Sequence, residues 1–287
     1  MRRARTSVRD ALDGALVALR AAGVQTPRLD AELLAAHALG VDRARLLSDP
    51  DLAVEGPEAR TLQAAVRRRA IEREPIAYIT GVRHFRNLEL RVDARALIPR
   101  PESELLVEAA LAARPGARVL DLCTGCGAVA LAVKQERGDL AVSASDISQA
   151  ALDLARENAA RLDLDVEFMH ADLFEGLGDD YDLVLANPPY VREDERSALA
   201  PEIVRHEPGL ALFAGEDGLD VLRGIFEGAR ERERISTLAV EHGEGQAQAV
   251  VELARDAGFG HLHKLADLAG IDRVVLATRG PDGEGRW

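Results

Sequence analysis

From Ser7 to about Arg73 apolar residues recur at three- and four-residue intervals: Leu12, Leu16 and Leu19, then Leu29, Leu33 and Leu34, then Leu62, Ala65, Val66 and Ala70. This is the period of helices that bury one face. Gly23, Gly40 and the stretch from Asp49-Pro50 to Pro57 act as stops and turns between them. The pattern predicts a small N-terminal helical domain over residues 1–74. It carries no chemical motif, so it reads as a scaffold or docking surface. Over residues 75–100 short alternating runs, Phe85 to Val92 and Ala96 to Ile98, predict a β-hairpin connector broken at Asp93-Ala94. Pro99 and Pro101 then fix the backbone, and Glu102 to Ala113 resumes the helical period with Pro101 in its first turn.

Beyond Ala117 the rhythm becomes strand, helix, strand. Strands are expected at Arg118–Leu122, Leu140–Ser145, Val166–His170, Leu183–Ala186, Leu238–Glu241, His261–Leu265 and Arg273–Thr278. Helices are expected at Ala128–Gln135, Ala150–Arg161, Leu219–Ala229 and Gln246–Ala257. Such alternation gives an α/β fold, a mostly parallel Rossmann-like sheet covered by helices, with an antiparallel final pair. Residues 101–280 form this second domain, and residues 281–287 read as a frayed tail.

Composition narrows the setting. Hydrophobic residues make up 47% of the 287 and charged residues 30%. No apolar run reaches the about 18 residues that would span a bilayer. Met1-Arg2-Arg3-Ala4-Arg5 is basic, but Ser7 to Leu19 lacks the apolar block of a signal peptide, so no membrane partner and a cytoplasmic location are expected. A net charge of −13 disfavours nonspecific duplex binding, and no direct nucleic-acid partner is expected. The basic run Arg67-Arg68-Arg69 reads as a solvated helix face. Two cysteines cannot form a disulfide framework. Their spacing in Cys123-Thr124-Gly125-Cys126 allows a redox pair or half of a zinc site, but no second pair completes the latter, and no metal is expected.

The first sheet strand runs into Asp121-Leu122-Cys123-Thr124-Gly125-Cys126-Gly127 and a helix follows at once. Glycines there let the backbone turn sharply and approach a ligand closely, at the carboxyl end of the sheet where open parallel sheets bind cofactors. The run Gly125 to Ala130 also satisfies the dinucleotide fingerprint, and Asp146, at the end of the second strand, suits the ribose of either an adenosyl cofactor or NAD. Asp172, followed by Leu173, could accept from an adenine amino group; a plain turn residue is the alternative. The fourth strand separates the two cofactors, because it ends in Asn187-Pro188-Pro189-Tyr190. A planar amide or amine nitrogen is a poor nucleophile and must be oriented by acceptors for its N–H groups. The Asn187 side-chain oxygen and the Pro188 carbonyl are suitable acceptors. Pro188 and Pro189 fix φ, and Tyr190 offers a ring to a flat group. The residues therefore point to S-adenosylmethionine-dependent methyl transfer, with Asn187 touching both cofactor and substrate.

With these motifs in place the chain resembles the bacterial release-factor glutamine methyltransferases from about Asp30 to Thr278. The resemblance rests on Glu74-Pro75-Ile76-Ala77-Tyr78-Ile79-Thr80-Gly81, Phe85, Leu97 to Glu104, the loop Asp121 to Gly127, Asn187 to Tyr190, and Glu207-Pro208 with Leu212. The Asn-Pro-Pro-Tyr motif alone is shared with adenine-N6 DNA methyltransferases, whereas Pro99-Arg100-Pro101-Glu102 is similar only to glutamine-specific enzymes. The resemblance implies a class I methyltransferase sheet and N5-methylation of the glutamine in the Gly-Gly-Gln motif of peptide-chain release factors, in translation termination. An adenine-N6 nucleic-acid methyltransferase and a ribosomal-protein glutamine methyltransferase are the alternatives. It further implies a helical domain that contacts the release factor, cofactor contacts from Cys123, Thr124, Gly125, Cys126, Gly127, Asp146, Asp172 and Leu173, and substrate contacts from Asn187 through Tyr190. Cys123 and Cys126 depart from the family's commoner Gly and Thr or Ser, and Ser103 from its commoner Thr.

Overall fold

The computed structural model describes residues 6–280, so the basic first five residues and the expected tail 281–287 lie outside the described residues. The chain divides into two compact units. One is the chain up to Val82 together with Ala200–His206; the other is Arg83–Leu199 and the chain from Glu207 onward.

The first unit opens with a two-residue strand, β1 (Thr6–Ser7), that leads into α1 (Val8–Ala21). Ser7 caps that helix: its hydroxyl accepts from the Asp10 N–H at 3.2 Å, and the Asp10 carboxylate accepts from the Ser7 N–H at 3.3 Å. Next come α2 (Pro27–Leu39), with proline in its first turn and Gly40 ending it at φ +63°, and α3 (Arg43–Ser48). Strand β2 (Ala53–Val54) then pairs antiparallel with β1. Helix α4 (Gly56–Arg67) continues into a π-helical turn at Arg68–Glu72, and α5 (Ile76–Thr80) closes the run. Leu19, Leu34 and Leu62 are buried as the period requires, and Leu46 of α3 joins them, whereas Leu29 is exposed.

The arginine run departs from the expected solvated face. Arg67 is exposed and Arg68 pairs with Glu74 at 2.5 Å, but Arg69 is 8% exposed. Its guanidinium holds Asp30 at 2.7 Å and Glu202 at 2.8 Å, and Arg73 reaches the same Glu202 oxygen at 2.6 Å. Arg69, within the π turn, and Arg73, just after it, thus meet one carboxylate.

The connector also differs in detail. Its strands are β3 (Val82–Phe85) and β4 (Leu88–Arg91), so the run Phe85 to Val92 is split by a turn at Arg86, whose φ is +49°. Ala96 to Ile98 is not a strand. Its backbone is held instead by a turn, Ala96 N–H to Asp93 carbonyl at 3.3 Å, and by the Glu207 carboxylate, which accepts from the Ile98 N–H at 3.1 Å.

A 3₁₀ turn at Pro101–Ser103 enters α6 (Glu104–Leu111). Then follow β5 (Arg118–Leu122), α7 (Ala128–Glu136), β6 (Ala141–Asp146), α8 (Gln149–Leu162), β7 (Glu167–His170) and β8 (Leu183–Ala186). Helix α9 (Pro201–His206) belongs to the first unit. The rest is α10 (Asp220–Arg230), β9 (Thr237–Glu241), α11 (Ala247–Asp256), β10 (His261–Ala266) and β11 (Asp272–Thr278).

The seven strands lie in the order β10-β11-β9-β8-β5-β6-β7. Those from β5 to β9 run parallel, and β11 is antiparallel to both β9 and β10. The central strands β5, β8 and β9 are buried on both faces, which explains why they are mostly apolar, with Asp121 and Glu241 as the buried acidic exceptions. Leu120, Leu122, Val184, Ala186, Leu238 and Val240 share a core with Leu222, Ile225 and Val250 of α10 and α11. On the opposite pleats Val119, Leu185 and Ala239 are equally buried, and α6 packs against β8, β9 and β11. With β8 beside β5, the Asn187 segment and the glycine loop leave the sheet as neighbours.

Candidate active site

One cavity takes in the carboxyl ends of β5, β6, β7 and β8. Its floor is the segment Cys123–Cys126; Gly127, the next residue of the loop, does not line it. The Thr124 N–H reaches the Ser145 carbonyl at 3.0 Å and the Gly127 N–H the Thr124 carbonyl at 2.9 Å, which fixes a tight turn. Gly125 sits at φ +57°, and a Cβ there would find only Ala96 at 3.9 Å, so the conformation, not crowding within the protein, selects glycine. Gly127 has both reasons: φ is +85°, and a Cβ would come to 3.1 Å from Leu131 and 3.2 Å from Ala155. Cys123 at φ +57° and Leu173 at φ +49° are side-chain-bearing residues in the same left-handed region, and both border the cavity. Backbone of that kind costs on the order of 1–3 kcal/mol and collects at ligand sites.

Beneath the loop lies Asp121, 1% exposed. Its carboxylate accepts from the Thr124 hydroxyl at 2.6 Å and the Ala130 N–H at 3.2 Å, tying the strand end to the first turn of α7. Burial pushes its pKa up to about 7, against the lowering effect of these two hydrogen bonds. Asp146 is half-buried and also raised by burial. Its two oxygens accept from the Gly125 N–H and the Ser148 N–H, each at 2.8 Å. A carboxylate has about four lone-pair sites, so two remain able to accept. Asp172 is exposed at the cavity wall, with Leu173 half-buried beside it.

At the end of β8 Asn187 and Pro189 line the cavity, Pro188 is buried and Tyr190 half-buried. The Asn187 amide donates through Nδ2 to the Ser103 hydroxyl at 2.8 Å. Ser103 donates to Glu241 at 2.7 Å, and the Tyr190 hydroxyl donates to the other Glu241 oxygen at 3.3 Å. Among the described residues no hydrogen bond uses the Asn187 Oδ1 or the Pro188 carbonyl. Burial raises Glu241 to about 7, partly offset by Ser103 and Tyr190. Burial, with the Glu241 charge and hydrogen bond, also raises the Tyr190 phenol, which stays protonated. Gln246 fixes the Tyr190 carbonyl through Nε2 at 3.0 Å.

Both cysteines are free thiols. Burial pushes Cys126 up to about 12 and Cys123 higher still, so neither is a thiolate near neutral pH. Among the described residues no cluster of His, Cys, Asp or Glu could hold a metal ion, and no helix is long and apolar enough to cross a membrane.

Reading the motifs overlooked Ser103 and Glu241 as members of the site. A signal for Glu241 existed: an acidic residue closes Leu238–Glu241, an otherwise apolar strand next to the Asn187 strand. Ser103 stood in the proline-rich segment but only as a mild departure. Glu207, in the Glu207-Pro208 pair, proves to be a brace, gripping the Ile98 N–H and Arg100, the latter at 2.5 Å.

Comparison with known proteins agrees with this architecture. The PrmC N-terminal domain matches residues 10–81 and the methyltransferase small domain residues 101–211. A methyltransferase from Pyrococcus furiosus shares the fold, with a TM-score of 0.53 and 15% identity over 76% of this chain and 98% of that one. The release factor glutamine methyltransferase of Cereibacter sphaeroides is 44% identical over 93% of this chain and 97% of its own length. That of Mycolicibacterium smegmatis is 43% identical over 96% and 98%. Identity of this level over nearly the whole of both chains leaves one assignment: the chain belongs to the release factor glutamine methyltransferase family.

Proposed function

We propose that this chain transfers a methyl group from S-adenosylmethionine to the side-chain amide nitrogen, N5, of the glutamine in the Gly-Gly-Gln motif of peptide-chain release factors. The observation that carries the reading is the state of Asn187. Its amide nitrogen is held by Ser103 at 2.8 Å, which leaves Oδ1 as an acceptor beside the glycine loop. The names of the relatives supply the substrate class.

The residues present fit the cofactor. The open Cβ direction at Gly125, the two spare acceptor sites of Asp146, and Asp172 beside Leu173 offer close backbone approach, ribose acceptors and an acceptor for an adenine amino group. When bound, the cofactor supplies an electrophilic sulfonium methyl. Asn187 Oδ1 and the Pro188 carbonyl accept the two N–H groups of the glutamine amide, which turns the nitrogen lone pair toward that methyl. Pro188 and Pro189, with fixed φ, hold the second acceptor without reorganisation. No strong base is required, because the N–H becomes acidic only as the new bond forms. Residues 1–74 serve in this reading to dock the release factor, in the cytoplasm.

The test is transfer of labelled methyl from the cofactor to a purified release factor, to the same factor with its loop glutamine changed to alanine, to ribosomal protein, and to adenine-containing DNA. Label confined to the glutamine-bearing factor, located there by mass spectrometry, is expected. Equal labelling of the alanine form, or preferential labelling of DNA or ribosomal protein, overturns the assignment.

A further inference from the structure

Resting on the reading that Asn187 receives a carboxamide, we propose that Glu241, acting through Ser103, is a positioning residue that dictates which end of the Asn187 amide faces the substrate. The two ends of an asparagine amide have nearly the same shape and opposite hydrogen-bonding character. Only a neighbour of defined polarity can choose between them. That neighbour is the Ser103 hydroxyl, which has a single hydrogen.

Glu241 closes β9, 1% exposed, beside the strand that delivers Asn187; Val240 pairs with Ala186, the residue before Asn187. Ionised, its carboxylate only accepts. It takes the Ser103 hydrogen at 2.7 Å and the Tyr190 hydrogen at 3.3 Å. With its hydrogen so engaged, Ser103 offers Asn187 lone pairs alone, and only the NH₂ end of the amide can use them, at 2.8 Å. Oδ1 is thereby turned to the cavity. Were Glu241 able to donate, the Ser103 hydrogen would be free for Oδ1. The amide could then rotate and present its NH₂ to the NH₂ of the substrate, two donors face to face. The chain of polarity runs from a buried charge, through a hydroxyl and an amide, to the reacting nitrogen.

Burial is the main influence on Glu241. Ser103 and Tyr190 stabilise its charge by hydrogen bonds, Glu102 opposes it and Arg273 favours it. Its folded pKa, raised to about 7, means that the form that can only accept is present above that pH and gives way below it to one that can also donate. The wild-type rate should therefore fall on the acid side of about 7.

The sequence contains three asparagines, Asn87, Asn158 and Asn187, so selective ¹⁵N-asparagine labelling gives three side-chain NH₂ pairs, with Asn187→Asp assigning the third. The experiment follows that pair from pH 5.5 to 9 in the whole protein. Alongside it, kcat and KM for methyl transfer to the release-factor glutamine are measured for wild type, Glu241→Gln, Ser103→Ala and Ser103→Thr. Calorimetric cofactor affinity and the thermal midpoint serve as checks of the fold. In wild type the Asn187 pair should titrate near pH 7, and in Glu241→Gln it should not. Glu241→Gln and Ser103→Ala should lower kcat at pH 8 by about one to two orders of magnitude with cofactor affinity kept, the loss expected for one misaligned polar contact. Ser103→Thr should restore the rate to within a few-fold. Glu241→Gln should also flatten the acid limb. An Asn187 signal indifferent to pH in wild type, or unchanged kcat and acid limb in Glu241→Gln, overturns the inference. A titrating Asn187 signal in a protein that methylates no glutamine upholds the positioning device and removes the proposed function instead.

Discussion

Two buried polar assemblies in this molecule follow opposite rules. In the helical unit Asp30, Arg69, Glu202 and Arg73 form alternating charges within 2.6 to 2.8 Å of one another. Burial raises Glu202, but its hydrogen bonds and the Arg69 and Arg73 charges outweigh that and leave it below the usual carboxylate range. In the sheet unit Glu241 and Asp121, both 1% exposed, are held by hydroxyls and N–H groups, with no cation in hydrogen-bond contact. Burial wins at both, and each rises to about 7. Where charge serves only to join helices, it is neutralised. In the sheet unit it has no cation in hydrogen-bond contact and is sensitive to its surroundings.

The sharpest way to separate the two is Asn187→Ala, which ends the polar chain at the substrate. Methyl transfer should fall by about two to four orders of magnitude while calorimetric cofactor affinity stays near wild type, since positioning acts in the transition state. A matching loss of affinity would contradict the division of labour. In the helical unit Glu202→Ala should act on stability instead. Removing one partner of a buried ion network costs roughly 3–5 kcal/mol, which urea unfolding would register. A loss below about 1 kcal/mol, the range of exposed ion pairs, would show the network to be solvated.

Asp146→Ala should weaken cofactor binding by about 1.5–3 kcal/mol, the range for hydrogen bonds to a charged group. Unchanged affinity in calorimetry would leave Asp146 as a tie between Gly125 and Ser148 alone. For Asp121 the folded pKa lies above the ordinary value, so the folded state binds the extra proton between about pH 4 and 7 and stability from this group falls as pH rises through that window. Asp121→Asn should therefore gain on wild type as pH goes from 5 to 8, by up to roughly 1.4 kcal/mol per unit of separation. Denaturation midpoints at the two pH values check the sign. The smallest effect is expected at the cysteines. Two thiols should titrate after denaturation without reductant, and cofactor should slow their alkylation in the native protein. Fewer than two, with activity that rises on oxidation, would restore the redox reading.

The sheet was legible because β5, β8 and β9 are buried on both faces and so are mostly apolar, while Gly125 and Gly127 announce a turn that favours glycine. The hairpin is there, but its strands lie elsewhere than expected: an alternating run looks the same whether or not it contains a turn, Arg86, at positive φ, does not advertise one, and Asn87 beside it was the signal. Arg69 was misread for a related reason: sequence shows an arginine's charge but not the distant Glu202 that makes its burial tolerable. Ser103 and Glu241 are 138 residues apart, and only the strand order β9-β8-β5 brings the second beside Asn187. Local pattern finds a glycine turn or a proline-fixed strand end; it does not find residues that meet across the sheet.

Helix α9 gives the helical unit a history that its sequence span conceals. The matched N-terminal domain ends at residue 81, yet the compact unit includes Ala200–His206, and Glu202 is the carboxylate that Arg69 and Arg73 share. The first 82 residues are thus not a transferable module. Grafted onto another enzyme, or expressed alone, they would carry two arginines into the interior without their common anion. Recombination that exchanges the front of this chain must bring along a seven-residue segment from far downstream, so the two halves are constrained to change together.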